Sequence, residues 1–395
     1  MVRDFAAGRS EVTWRLPLRG GGKGGAFSVG VHGLDRGMLQ TFDSLSDLFR
    51  HGFDTVIDVR SPSEYAEDHL PGAINLPVLD DAQRAEVGTI YKQQSPFAAR
   101  KIGAALVFRN AADHVAGPLA HHEGGWRPLV YCWRGGQRSG AFGWMLGQIG
   151  WRPGVIRGGY RSFRRLVNRA LYDDCLPHRL LLLDGYTGTA KTELLGLLAA
   201  RGVQVLDLEG LAGHRGSLLG EMPAPQPAQK AFETALAVAL HDLDPTRPVV
   251  VEAESSKIGA RIIPPSLWSA MKSAPRIEIA APLEARTGYL ARAYDDILSD
   301  TARLQQRLAP LKAHRGGAVI DGWFDRIAAG DKTGLTRALM VEHYDPAYEK
   351  SRRAIGAEVL ERIPVARLDP AGLDEAAARI EAAVTAYAGS GPVTG

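Results

Sequence analysis

Cysteine is nearly absent: the 395-residue chain holds two, Cys132 and Cys175. Two thiols cannot build a disulfide framework, so a reducing compartment is expected. Long apolar runs are missing too, and nothing approaches the ~20 residues of a membrane span. The first residues, "MVRDFAAGRSEVTWRLPLRG", lack the apolar core of a signal peptide. The expectation is a cytoplasmic protein with no membrane attachment. Charge of one sign is also scarce. A formal net charge of +3 does not by itself mark a nucleic-acid binder, which shows a basic face or stripe. What is present is an ordinary globular composition, 45% hydrophobic and 23% charged, in a chain long enough for two domains.

Residues 1–40 are rich in Gly and Arg, with "RGGGKGG" among them, and read as a flexible extension or a basic arm. Beyond them β-branched strands and helices alternate. "FDTVIDVRS", "GAINLPV", "RPLVYC" and "RPGVIRGGY" are strands, with helices at "SLSDLFRHG", "SEYAEDHL" and "QRSGAFGWMLGQIG". After a basic helix and "DDCLP" the alternation restarts at "HRLLLLDGYTGTAKTELLGLLAARG" and continues through "VQVLDLEG", "RPVVVEAES" and "PRIEIAAP". This predicts an α/β protein with two parallel sheets. The expected domains are 41–172 and 173–365, the second with a helical region from about 282 to 356. A C-terminal helix and tail occupy 366–395.

In "YCWRGGQRSG", Cys132 stands at the C-terminal end of a strand, just before a helix, where ligands bind in open α/β sheets. The loop residues Trp133, Arg134, Gly135, Gly136, Gln137, Arg138 and Ser139 surround it. Gly135 and Gly136 permit a tight turn, and the helix N-terminus with Arg134 and Arg138 adds positive potential. That combination favours a nucleophilic thiolate. A structural cysteine would sit among apolar residues, unlike this one. Cys175 lies in the junction, outside any such loop, and is incidental. "VIDVRSPSEYAEDHLPGAINLP" and "VIRGGYRSF" resemble the rhodanese family. The resemblance implies that Asp58 and Arg60 brace the loop and that Cys132 carries sulfur or selenium.

"LLLLDGYTGTAKT" runs a strand into the pattern G-x-x-x-x-G-K-[ST] over 185–192, with Ala190 replacing the last glycine. Gly185 opens the loop. The N–H groups of Gly188, Thr189, Ala190, Lys191 and Thr192 would cradle phosphate at a helix N-terminus. Lys191 would reach the outer phosphates, and Thr192 would suit Mg²⁺. Glu252 or Glu254, at the end of "RPVVVEAES", could hold a metal-bound water. Alternation puts both on one face.

The two modules together, with "VGTIYKQQSPFAARKIG", "CWRGGQRS", "DLEGLAGHRGS", "VEAESSKIG" and "EHYDPAY", resemble the tRNA 2-selenouridine synthases over about 41–350. Ala190 is the main departure, and its Cβ is expected to narrow the phosphate loop or shift Lys191. The resemblance implies selenium transfer from selenophosphate onto wobble 2-thiouridine in tRNAs for Lys, Glu and Gln. It also implies S-geranylation of that base from geranyl diphosphate, Mg²⁺ as metal, and a selenophosphate-supplying enzyme as partner. Arg161, Arg164, Arg165 and Arg169 share one face of a junction helix that could meet tRNA phosphates, or could simply be solvated. His214 and Arg215 are expected near the substrate, "RLQQRLAPLKAHRGG" along an RNA groove, and Tyr344 and Tyr348 against the base. Two other readings remain: a sulfurtransferase fused to a P-loop kinase or ATPase acting on small molecules, and a non-enzymatic binding module with a nucleotide switch.

Overall fold

The computed structural model describes residues 11–14, 27–30, 37–355 and 358–389. The extension expected over 1–40 lies mostly outside the described residues, apart from strands Glu11–Trp14 and Phe27–Gly30, which pair antiparallel. Its end needs correcting. Leu39–Gln40 is a strand, because Val155 and Arg157 donate their N–H groups to the carbonyls of Met38 and Gln40.

The chain divides into two units, the first comprising 1–42, 52–62 and 72–162, the second 43–51, 63–71 and 163–395. The division at 162/163 falls within a helix, ten residues before the junction expected from sequence. In the first unit the strands are β1 (Leu39–Gln40), β2 (Thr55–Asp58), β3 (Ile74–Asn75), β4 (Pro128–Tyr131) and β5 (Gly154–Ile156). They form one parallel sheet in the order β1-β5-β4-β2-β3. β4 is buried along its whole length, as a strand covered on both faces should be.

The helices are α1 (Asp81–Gln93), α2 (Pro96–Ala116), α3 (Gln137–Ile149) and α4 (Tyr160–Asn168). Asp80 and Gln83 close a capping box on α1, while Ser95 caps α2 with Pro96 in its first turn. The core gathers Ile57, Val130, Phe142, Leu146, Trp126 and Trp151.

The second unit carries β6 (Leu180–Asp184), β7 (Gln204–Leu206), β8 (Val249–Glu252), β9 (Arg276–Ala280) and β10 (Val359–Pro364). All are parallel, in the order β10-β9-β6-β8-β7. Its helices include α5 (Lys191–Ala200), α6 (Leu208–Ala212), α7 (Gln229–Asp242), α8 (Leu283–Ala293), α9 (Gly317–Ala328), α10 (Lys332–Leu339), α11 (Asp345–Ile355) and α12 (Pro370–Gly389). α12 buries Leu373, Ala377 and Ile380 in one core with Leu183, Leu194, Leu198 and Ile279. A second cluster, with Leu304, Leu308, Trp323 and Leu339, supports the helical region. Among the described residues no helix is long and apolar enough to cross a membrane.

Candidate active site

Cys132 follows β4 and is 1% exposed. The expectation that it avoids apolar company is corrected, since it joins the buried cluster of Val130 and Phe142. Its polar contacts come from the loop. Ser139 Oγ donates to Sγ at 3.3 Å, and Sγ donates to the Arg134 carbonyl at 3.6 Å. Arg134 thus meets the sulfur through its backbone, while its side chain is exposed and that of Arg138 half-buried. Trp133 is half-buried and Gln137, the first residue of α3, is exposed. Gly135 and Gly136 adopt φ of 69° and 72°, the left-handed turn that lets α3 begin directly after the loop.

Two braces hold this loop. Asp58 and Arg60 are fully buried and paired, Nη2 lying 2.6 Å from Oδ2 and Nε 3.0 Å from Oδ1. Asn75 Nδ2 donates to the carbonyls of both residues. The Arg60 guanidinium lies 4.0 Å from the Tyr160 ring centroid, and Tyr160 stacks with Trp133. Behind the cysteine, Tyr160 N–H donates to the Cys132 carbonyl at 2.8 Å and Arg161 N–H to that of Trp133. The turn after β5 therefore closes the loop begun by β4. Cys175 is exposed, outside this loop.

In the second unit the phosphate loop joins β6 to α5. Asp184 Oδ1 and the Tyr348 hydroxyl both accept from Gly185 N–H, each at 2.9 Å. Gly188 has φ 85°, and a Cβ there would lie 3.1 Å from the Arg286 carbonyl oxygen and displace Leu290 Cδ1, so the left-handed backbone favours glycine. Thr189 is buried, its hydroxyl donating to the Tyr186 carbonyl. Ala190 has φ 58° and ψ 34°, the one non-glycine with positive φ among the described residues. It therefore keeps the left-handed conformation a glycine would take, and its methyl is buried in the core. Lys191 Nζ donates to the Gly185 carbonyl at 3.0 Å, and Thr192 Oγ1 to Glu209 Oε2 at 3.0 Å.

A cavity of about 740 Å³ opens over this loop. Its lining includes the polar Lys191, Thr192, Glu209 and Glu254 and the apolar Leu218, Met222, Trp268, Met271 and Leu290. Glu252 and Glu254 do different work. Glu252, at the end of β8, is buried and accepts from Glu209 N–H at 2.7 Å; burial pushes its carboxyl well above the usual range. Glu254 is raised to about 8, by burial first and then by the charge of Glu209, against the pull of Lys191. Glu209 lies in "DLEGLAGHRGS", where no motif position marks it as functional. Asp207 caps α6 by accepting from Gly210 N–H, and the next helical turn presents Glu209 beside Thr192. Among the described residues, no three His, Cys, Asp or Glu side chains are grouped to hold a metal by themselves.

Several RNA-contact expectations change. Arg164 is committed within the second unit to Glu233, to Asp68 at 3.6 Å and to Thr234 at 3.1 Å, so it is a structural cation. Tyr172 bonds the same glutamate, and burial raises its hydroxyl to about 12. Arg161, Arg165 and Arg169 are exposed, Arg169 lying 3.8 Å from Asp174. Arg215 lines the cavity but is held bidentate by Asp296. His214 is buried in the wall, where desolvation lowers its imidazole pKa. In the basic stretch at 303–317, Arg303 and Arg307 pair with Glu221, and Arg315 donates to His343. Tyr344 and Tyr348 line the phosphate-loop cavity, and Tyr348 holds the loop itself. The cavity lining also includes a charged network, with Arg276 and Arg352 on buried Asp184, and Arg352 and Arg362 on Glu278.

Two family models match the chain: a rhodanese-like domain over 41–166 and the tRNA 2-selenouridine synthase AAA domain over 178–315. A tRNA 2-selenouridine synthase of Chromohalobacter salexigens is 36% identical, the match covering 74% of this chain and 86% of that one. One of Hahella chejuensis is 33% identical over 76% and 86%.

The chain belongs to the tRNA 2-selenouridine synthase family.

Membership in that family accounts for the pairing of a rhodanese-like sheet with a P-loop sheet and helical region. Both domain identities expected from sequence are borne out. A third relative, from Nitrosomonas europaea, is 37% identical over 65% of this chain and 68% of its own.

Proposed function

We propose that this enzyme replaces the sulfur of wobble 2-thiouridine in tRNA by selenium, with Cys132 as selenium carrier and the phosphate-loop cavity as a geranyl diphosphate site. The observation that carries the second role is the cavity's composition, in which the phosphate-loop residues share the lining with the apolar side chains of Leu218, Met222, Trp268, Met271 and Leu290.

In the first step the base sulfur attacks C1 of the geranyl chain. The C–O bond breaks, diphosphate leaves with the electron pair, and the N3 proton passes to solvent. Lys191 and the loop amides hold the diphosphate and stabilise its growing charge. In the second step the selenium of selenophosphate, presented by Cys132, adds at C2 and the geranylated sulfur departs as a thiolate, a better leaving group than the original sulfur. Water then takes the phosphoryl group, so the P–Se bond breaks with its electron pair left on selenium and phosphate is released. Mg²⁺ bound to diphosphate would further neutralise the leaving group. Thr192 with Glu209 and Glu254 fits such an ion, which takes few protein ligands and keeps substrate oxygens and water. The crowding of Glu209 and Glu254 is the feature a cation would relieve. Selenophosphate is the proposed donor, delivered by a separate enzyme, and tRNAs for Lys, Glu and Gln are the proposed substrates. The reducing cytoplasm suits a carrier thiol.

Nucleoside mass spectrometry of thiolated tRNA, incubated with each donor separately and with both, tests the reading. Geranyl diphosphate alone should yield the S-geranyl base, and both donors together 2-selenouridine. Cys132→Ser should abolish selenouridine while leaving geranylation. Selenouridine formed normally by Cys132→Ser would remove the carrier role.

A further inference from the structure

We propose that the tip of the α1–α2 hairpin is an RNA-contacting surface that stacks unpaired bases on Tyr91 and Phe97 and holds the adjoining phosphates with Lys92 and Lys101. The inference rests on the tRNA reading above, but on residues outside both sites described. α1 buries Ile90 and α2 buries Ala99, Gly103 and Val107, while Tyr91, Lys92, Gln93, Gln94, Pro96 and Phe97 at their connection are exposed. There Tyr91 is 56% and Phe97 71% exposed, and no other large apolar side chain among the described residues is as exposed as Phe97. Neither ring is needed for the core. Both flank a turn that is itself fixed, because Gln94 and Ser95 donate their N–H groups to the Ile90 carbonyl and Ser95 Oγ caps Ala98. Rings presented on a rigid turn lose little freedom on binding.

The charge around them has one sign. From Val87 to Ala112 the sequence contains Lys92, Arg100, Lys101 and Arg109 and no Asp or Glu; all four cations are exposed. A chain with a net charge of only +3 therefore places an acid-free basic stretch of sequence beside the most exposed large apolar side chain among the described residues. Aromatic faces interleaved with cations are what single-stranded RNA requires, since every base offers a π-face and every step a phosphate. A purely apolar protein partner would leave those cations without counter-charges.

The test uses the full chain and a fluorescein-labelled anticodon stem–loop RNA, with affinity read by anisotropy over a salt series. Tyr91→Ala and Phe97→Ala should each weaken binding about five-fold or more. Lys92→Gln with Lys101→Gln should flatten the dependence of log affinity on log salt by about 1.4. Thermal melts of these surface variants should match the parent. If the parent binds and all variants bind equally with the same slope, the hairpin proposal is overturned and the selenouridine reading stands. Failure of the parent to bind the stem–loop at all, and to bind a labelled full-length tRNA in the same assay, would overturn both. Unchanged RNA affinity together with self-association that Phe97→Ala abolishes in sedimentation would make the patch a protein interface, and would also overturn the proposal.

Discussion

Replacing Gly159 by alanine should disrupt the cysteine loop through a single contact. Gly159 lies at φ 57°, and an added Cβ would sit 2.2 Å from the Cys132 carbonyl oxygen and 3.1 Å from its carbon. A left-handed alanine first costs about 1–2 kcal/mol. Forcing an atom into a packed interior adds typically 1–3 kcal/mol, so the total is about 2–5 kcal/mol. Gly135 supplies the control. Its φ is 69°, but an added Cβ there has nothing within 4 Å, so Gly135→Ala should cost only the first ~1–2 kcal/mol. The carbonyl cannot retreat freely, because it accepts from Tyr160 N–H at 2.8 Å and Tyr160 lies against the buried Arg60. Native-state hydrogen exchange over 128–132 reads this local stability without requiring a two-unit chain to unfold in one step. Protection in Gly159→Ala should fall about 5–150-fold below that in Gly135→Ala, the equivalent of ~1–3 kcal/mol. Native alkylation of Cys132 by iodoacetamide should rise in parallel as the sulfur leaves its buried site. Equal protection in the two variants would refute the argument that this carbonyl contact sets the loop.

Lys191→Ala should abolish S-geranylation in the purified assay while leaving the first unit's hydrogen exchange unchanged; undiminished geranylation would move the diphosphate site elsewhere. Ala190→Gly relieves left-handed strain of ~1–2 kcal/mol but loses a buried methyl worth about 0.8 kcal/mol and adds unfolded-state freedom of ~0.4–1 kcal/mol. Urea titration should therefore show a change within about 1 kcal/mol, with diphosphate affinity retained. Glu254 has its folded pKa raised to about 8 from an ordinary 4.5, so the native state binds the extra proton in between. Its stabilising contribution is complete below about pH 4.5 and is lost as pH rises toward 8. Glu254→Gln should flatten that decline in pH-dependent melts, and Mg²⁺ affinity of the parent should increase over the same interval as the carboxyl ionises.

Both reactive loops were legible because each is a local pattern, a strand end, a glycine turn and a helix start, contained in about ten residues. The brace Asp58–Arg60 was reachable only through resemblance, since sequence spacing does not say that both charges are buried. The environment of Cys132 differs from its sequence neighbourhood for a related reason. The glycines and arginines flank it in sequence, but β4 and α3 carry its sulfur among Val130 and Phe142 in space. Arg164 shares a helix face with exposed Arg161 and Arg165, and only packing shows that Glu233 and Asp68 neutralise it. Glu209 and Tyr348 reach the phosphate loop from other elements, and no periodicity announces such a meeting. β10 escaped notice because "VLERIP" is a mostly exposed edge strand, with Ile363 buried among its six residues.

The hydrogen bond from Gly185 N–H to Tyr348 spans 163 residues, and this gives the phosphate loop a schedule. At roughly 5–20 residues per second of synthesis, the loop leaves the ribosome about 8–30 seconds before the tyrosine that completes its hydrogen bonding. β10 follows later still, although it must pair beside β9. During that interval the nascent strand, glycine turn and helix exist without their latch. The phosphate loop therefore gains this hydrogen-bond partner only once Tyr348 has emerged.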